Sequence, residues 1–311
     1  MGKQLALVCV VFAAACTSSS SGDEDLVKGF TVPPVQDGYT RYVLPAIHGL
    51  APGEDKLFCQ WIALPLDVDV DVLDVEAYQT VTGHHVALYS TGENEDVGTS
   101  RECTTQDMIP IEFIGGVGGE GAPNDAKLPE GYVFRARKKR MLLANAHYLN
   151  ATDSVQDVQS VVDVKTAPPS NLKPVGMAVT NWSDFQIPAN TPSYTTDAYC
   201  TWQQDIDVLM YSNHMHSNGL SVKSELMRSD GTIDPLRADP QWTAEQAFNP
   251  SWATFPSSAP MHIHAGDTTH IQCTWQNNTG SMMQFPDEMC DGIAMYTQSP
   301  AQIICDAAPH M

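Results

Sequence analysis

Asp67-Val68-Asp69-Val70-Asp71-Val72 alternates a carboxylate with a valine at every step. Period two is the repeat of a β-strand, whose successive side chains point to opposite faces, so the stretch reads as a strand with a solvated acidic face. An EF-hand calcium loop needs glycine at its sixth position; Val72 stands there, which excludes calcium binding of that type. Working outward, runs of strand character recur at Leu57 to Leu66, Val68 to Tyr78, His85 to Tyr89, Arg140 to Leu149 and Val158 to Val164. A second series follows at Gly176 to Val179, Ala198 to Asp205, Asp207 to His216, Leu220 to Met227, Thr268 to Gln276 and Gly292 to Tyr296. Many short strands separated by turn residues give the expected fold class: all-β, two tandem antiparallel β-sandwich (jelly-roll) domains.

The 311 residues are enough for two domains with separate cores. With 16 Lys plus Arg against 37 Asp plus Glu the formal charge is −21, which argues against nucleic acid, since phosphate binding needs clustered cations. A hydrophobic content of 42% excludes a disordered acidic chain. Gly115 to Pro123 reads as a glycine-rich loop without the Lys-Ser or Lys-Thr ending of a phosphate loop. Thr166 to Pro174, with Pro168, Pro169 and Pro174, reads as an interdomain connection, giving domains at 30–168 and 169–311.

Residues 1–15 read as an export signal: Lys3 supplies the positive start, and Leu5 to Ala15 is an apolar stretch too short to span a bilayer. Ala13, Ala14 and Ala15 run into Cys16, which resembles a bacterial lipobox, with Cys16 the lipidated residue. Residues 16–29 form a tether, flexible through Thr17-Ser18-Ser19-Ser20-Ser21-Gly22. The expected location is outside the cytoplasm: anchored in the cell envelope, on its periplasmic or cell-surface side, with membrane contact only through the lipid on Cys16, or otherwise secreted after cleavage of an ordinary signal. Setting aside Cys9 and Cys16, six of the eight cysteines remain: Cys59, Cys103, Cys200, Cys273, Cys290 and Cys305. Export permits up to three bridges, and about fifteen connectivities are open.

Ten histidines are present. His84 and His85 follow Gly83 at the entry to an apolar strand, and His147 lies in Ala144-Asn145-Ala146-His147-Tyr148-Leu149. His214 and His216 form an H-x-H, whose period of two puts both imidazoles on one face, and His262 and His264 form another. His48, His270 and His310 stand alone. An adjacent pair points to opposite faces of a regular strand, so His84 and His85 can act together only at a bulge or strand end, which Gly83 permits. Met282, Met283 and Met295 read as core filler. The histidine spacing suggests transition-metal sites, and an oxygenated compartment with thioethers nearby favours copper over zinc.

Gly83-His84-His85, Ala146-His147-Tyr148, His214-Met215-His216 and Asp287-Glu288-Met289-Cys290 stand in the order found in the copper type II, ascorbate-dependent monooxygenases, which the chain resembles from about Lys56 to Cys305. The resemblance implies two copper ions per chain. His84, His85 and His147 match the ligands of the electron-transfer copper, and His214, His216 and Met289 those of the oxygen-binding copper, where catalysis takes place. It also implies ascorbate or a similar reductant, dioxygen, and hydroxylation of a C–H bond of a small organic substrate. The implied bridges are Cys59–Cys103, Cys200–Cys305 and Cys273–Cys290. His262 and His264 match positions that are not ligands. Peptide-amidating members carry an arginine where Ser212 stands and a tyrosine where Ile293 stands, so peptide amidation is not expected. A competing expectation is an exported copper-binding or redox lipoprotein without oxygenase activity.

Overall fold

A computed structural model describes residues 26–118, 127–247, 249–285 and 287–309. The signal 1–15, the lipidation site Cys16, the tether through residue 25, residues 119–123 of the glycine loop and His310 lie outside the described residues.

The first half opens with β1 (Tyr39–Val43), β2 (Ile47–Leu50), β3 (Asp55–Ala63) and β4 (Val70–Gln79). It continues with β5 (Gly83–Thr91), β6 (Ser100–Glu102), β7 (Ile111–Gly118) and β8 (Tyr132–Ala136). It closes with β9 (Met141–Leu149), β10 (Gln156–Val158) and β11 (Ser160–Ala167). The second half begins with β12 (Lys173–Trp182), β13 (Gln186–Ile187), β14 (Thr191–Thr201) and β15 (Ile206–His214). Next come β16 (Gly219–Met227), β17 (Ile233–Asp239), β18 (Ala253–Thr254) and β19 (Met261–Ile263). Last are β20 (Thr268–Asn277), β21 (Met283–Gln284), β22 (Cys290–Thr297) and β23 (Ile303–Asp306). No α-helix occurs among the described residues, and the all-β expectation holds.

The halves repeat one topology. In the first, sheet β6-β3-β9-β5-β7 is accompanied by β1-β11-β4-β8 and the small β10-β2 pair; in the second, β14-β20-β16-β17 by β12-β22-β15-β18 and β13-β21. Strands β3, β9, β5 and β7 thus correspond in order to β14, β20, β16 and β17. The turns after β9 and β20 repeat down to side chains: Asn150 Oδ1 accepts from the Thr152 hydroxyl at 2.7 Å, and Asn277 Oδ1 accepts from the Thr279 hydroxyl at 2.7 Å. Between the first-half sheets lie Val75, Val86, Leu88, Ala144, Ala146 and Val162, all under 9% exposed. β1-β11-β4-β8 and β12-β22-β15-β18 form one continuous ten-stranded sheet with β19 and β23, joined where β8 runs parallel to β12, from Tyr132 opposite Lys173 to Phe134 opposite Val175.

Three local expectations change. Thr166 to Pro174 is not all connection, since β11 runs to Ala167 and β12 starts at Lys173. Pro174 fits inside a strand because the Lys173 N–H already donates toward β8 (to Gly131 O, 3.0 Å); the next amide faces the other side, where pairing with β22 begins only at Val175. Gly115 to Gly118 is strand, paired with β5, rather than loop. Glycine is required at 115 for packing: a Cβ there would lie 2.4 Å from Val75 Cγ2. Finally, of the Asp67 to Val72 stretch only Val70 to Val72 is strand, since β4 starts at Val70, and Asp71 is fully buried rather than solvated. Arg135 Nε donates to it at 2.6 Å and the Ser170 hydroxyl at 2.6 Å, which compensates the carboxylate for its lost water.

Candidate metal centres

β5 begins with a bulge. Gly83 pairs with Tyr148 and His85 with His147, leaving His84 as the extra residue. The bulge breaks the alternation that would have sent the adjacent imidazoles to opposite faces. The ring of His147 lies 4.7 Å from that of His84 and 5.0 Å from that of His85, centroid to centroid. One ligand atom from each of the three falls within 4.8 Å of the others, so the three form a group that could hold a metal ion. The Nδ1 atoms of His84 and His147 are 3.0 Å apart, while His147 Nε2 contacts the Asp55 carboxylate at the start of β3.

The second cluster sits on the corresponding corner of the second half. His214 ends β15 and His216 lies in the turn beyond it, their rings 5.4 Å apart. Between them Met215 is fully buried, so the H-x-H alternation holds through the turn. Glu288, fully buried, accepts from the backbone N–H groups of His216 at 2.9 Å and Asn218 at 2.6 Å. This staples the 287–289 segment to the H-x-H turn. His216 Nδ1 lies 3.1 Å from the Asp287 carbonyl, so that nitrogen carries the proton and Nε2 is left with a lone pair. Met289 is half-buried and directly precedes Cys290, which is bridged to Cys273. The other bridges are Cys59–Cys103 and Cys200–Cys305, so all three pairings implied by the resemblance are present.

The two clusters act on one another electrostatically. Burial, followed by the neighbouring imidazoles, drives His84 down to about 3 and His85 well below the ordinary range, and His216 contributes to both. Burial likewise drives His214 down to about 3 and lowers His216, with His147 adding to each. At neutral pH these four imidazoles are therefore uncharged, the form that binds a metal. Burial pushes the Asp55 carboxyl up, but His147, His216 and His84 together outweigh it and hold the group below its usual range.

The remaining histidines are placed elsewhere. His262 and His264 are largely exposed and contact Asp207 and Asp267; His270 stacks on Tyr199 at 4.6 Å; His48 meets Asp157 at 3.1 Å. Met283 and Met295 are core residues, as expected, whereas Met282 is 50% exposed. Asp55 supports the first cluster without any signal of its own in the sequence, and Glu288, although it stands in the Asp287-Glu288-Met289-Cys290 motif, carried no expected role there. Asp55 reaches His147 only through the β3–β9 register, which no local motif reveals.

Residues 175–309 match the family model described as copper type II ascorbate-dependent monooxygenase, C-terminal domain. No curated protein matches the chain. Among solved structures the chain is similar to the crystal structure of the infectious bursal disease virus VP2 subviral particle, at 12% identity over 87% of this chain and 74% of that one, with a TM-score of 0.22. It is also similar to the structure of infectious bursal virus derived T=1 particles, at 9% identity over 90% and 81%, with a TM-score of 0.14. Likenesses this distant carry no argument about fold or function. Residues 175–309, which bear His214, His216 and Met289, belong to the C-terminal domain family of the copper type II, ascorbate-dependent monooxygenases.

Proposed function

We propose that the chain is a copper-dependent monooxygenase that uses dioxygen and a reductant such as ascorbate to hydroxylate a C–H bond of a small organic substrate. The observation that carries this reading is the pair of imidazole clusters on corresponding corners of the two halves, one of which lies in the matched copper domain. The division is 30–168 for the electron-transfer site and 169–311 for the oxygen-binding site. His84, His85 and His147 would hold one copper and His214, His216 and Met289 the other. Copper bound there would supply one-electron chemistry, taking two electrons from the reductant and putting one oxygen atom into the C–H bond and the other into water.

The donor sets suit this division. Imidazole nitrogens serve both oxidation states of copper, while a thioether favours Cu(I). Asp55 holds the Nε2 edge of His147, leaving Nδ1 as the donor, and the Asp287 carbonyl leaves His216 with Nε2. Glu288 fixes the turn that sets the spacing of His214, His216 and Met289. Ser212 is buried with its hydroxyl donated to Ser251 O at 2.8 Å, and Ile293 lies beside it on β22. A neutral side chain at each of these positions supports a substrate without a carboxylate. The three disulfides support export; the signal at 1–15 and lipid attachment at Cys16 are proposed from the sequence alone.

The test is elemental analysis after copper reconstitution, followed by oxygen-electrode measurements with ascorbate and candidate substrates. Two coppers per chain and oxygen uptake that rises with substrate are expected. Copper uptake with ascorbate oxidation but no substrate-dependent oxygen consumption would reduce the protein to a redox carrier.

A further inference from the structure

Gln79 ends β4 directly beneath the His84 bulge. Its Nε2 lies 3.3 Å from the His85 carbonyl, 3.3 Å from the His147 carbonyl and 3.1 Å from the Ser160 hydroxyl. The two carbonyls only accept, so the amide nitrogen rather than its oxygen must face them. Ser160 in turn lies 2.6 Å from the Tyr148 hydroxyl, and both residues are fully buried. One amide thus ties together the main chains of β5 and β9, the strands that carry His84, His85 and His147.

The second half contains the control for this arrangement. Gln79 stands four residues before Gly83, and Met215 four residues before Gly219, at the corresponding turn. Each fills the space under its glycine: a Cβ on Gly83 would lie 2.1 Å from Gln79 Cβ, and one on Gly219 would lie 2.6 Å from Met215 Cε. Packing at this corner is therefore satisfied by an apolar side chain. The half that uses one carries its imidazoles on the β15 end and the following turn, and needs no tie between β16 and β20.

We propose that Gln79 is a positioning residue for the three-imidazole cluster, fixing the separation of the His85 and His147 main chains at the bulge so that the three nitrogens converge before a metal arrives. The inference rests on the reading of His84, His85 and His147 as a copper centre. A polar group that orients ligands in this way typically accounts for about 10–100-fold in metal affinity.

The experiment compares the full chain with Gln79→Met, which copies the second half, and Gln79→Glu, which keeps the shape and removes the N–H donors. Copper(II) affinity and the EPR hyperfine pattern are measured at the three-imidazole site, with Cu(I) affinity at the His214–His216 site as internal reference. Expected are folded variants with intact disulfides, an unchanged reference site, a 10–100-fold weaker first site and an altered hyperfine pattern. If either variant folds and keeps wild-type affinity and spectrum at the first site, Gln79 is packing alone and the proposal is overturned. Failure of the underlying reading is distinguishable, because the unmutated chain would then take up no copper that His84→Ala removes.

Discussion

The Nδ1 atoms of His84 and His147 lie 3.0 Å apart, a separation two imidazole lone pairs tolerate only with a proton or a cation between them. A metal would replace that proton. Replacing His84 with Ala should remove the first-site copper and leave the second, halving the copper content without unfolding the half-buried bulge that opens β5. Elemental analysis with circular dichroism on the same sample checks this. Retention of both coppers would show that the cluster is a hydrogen-bonded histidine group and not a metal centre.

Asp55 and His147 supply a separate test of the same corner. Asp55 accepts from Nε2, which fixes the tautomer that leaves Nδ1 free to bind. Asp55→Asn keeps the size of the side chain but removes the charge, and its amide can present an N–H to the ring. Copper affinity at the first site should fall by about 10–100-fold, with the His214–His216 site unchanged, as read by competition with a chromogenic Cu(I) chelator.

How much of this was legible in the sequence depends on the range of each signal. The His-x-His of 214 and 216 and the adjacent pair at 84 and 85 are local patterns, and Gly83 marked the bulge that lets the pair act together. The strand pattern was legible for the same reason. Asp71 was misread because its partners, Arg135 and Ser170, are 64 and 99 residues away, and a period of two cannot tell a solvated carboxylate from a paired one. Gly115 was misread because glycine signals a loop and a close approach equally well. Gln79 gave no signal at all; its role exists only where β4, β5 and β9 meet.

Asp107 gives the stability of the first half a defined acid dependence. Arg101 donates to its carboxylate at 2.6 Å, Thr104 adds its backbone N–H at 2.7 Å and its hydroxyl at 2.8 Å, and together they hold the group at about 2. A depressed carboxylate stabilises the fold above its unfolded value near 4, and that stability is lost as pH falls from about 4 to about 2. Arg101 is 39% exposed, so screening limits the contribution to about 1–2 kcal/mol. Urea unfolding of Asp107→Asn should show that deficit at pH 7 and a narrowing gap to the parent below pH 4. A constant gap down to pH 2 would show that the loss is structural and not linked to protonation.

The Cys273–Cys290 bridge ties β20 to the start of β22 across 17 residues. Closing a loop of that size stabilises by about 3 kcal/mol in the chain-entropy account. The double replacement Cys273→Ala and Cys290→Ala should cost about that much in denaturant unfolding. It should also weaken Cu(I) binding at the second site, because Met289 loses its anchored neighbour. A stability loss with unchanged Cu(I) affinity would separate the bridge from the site.

Met289 is the sharpest position in the second half. Its ordinary reading is core packing, yet it is half-buried, follows the fully buried Glu288 that staples the His216 turn, and precedes the bridged Cys290. Met289→Ile roughly conserves volume, so packing alone predicts a cost below about 1.5 kcal/mol and no effect on metal. As a thioether ligand, Met289 predicts a different outcome. The variant should fold, take up copper at His84, His85 and His147, and accept electrons from ascorbate, while losing substrate hydroxylation and most Cu(I) affinity at the second site. His147→Ala should do the reverse, leaving the second copper bound but slowing its reduction. If Met289→Ile keeps full copper stoichiometry, Cu(I) affinity and activity, the thioether is filler, and His214 and His216 must find their third donor elsewhere.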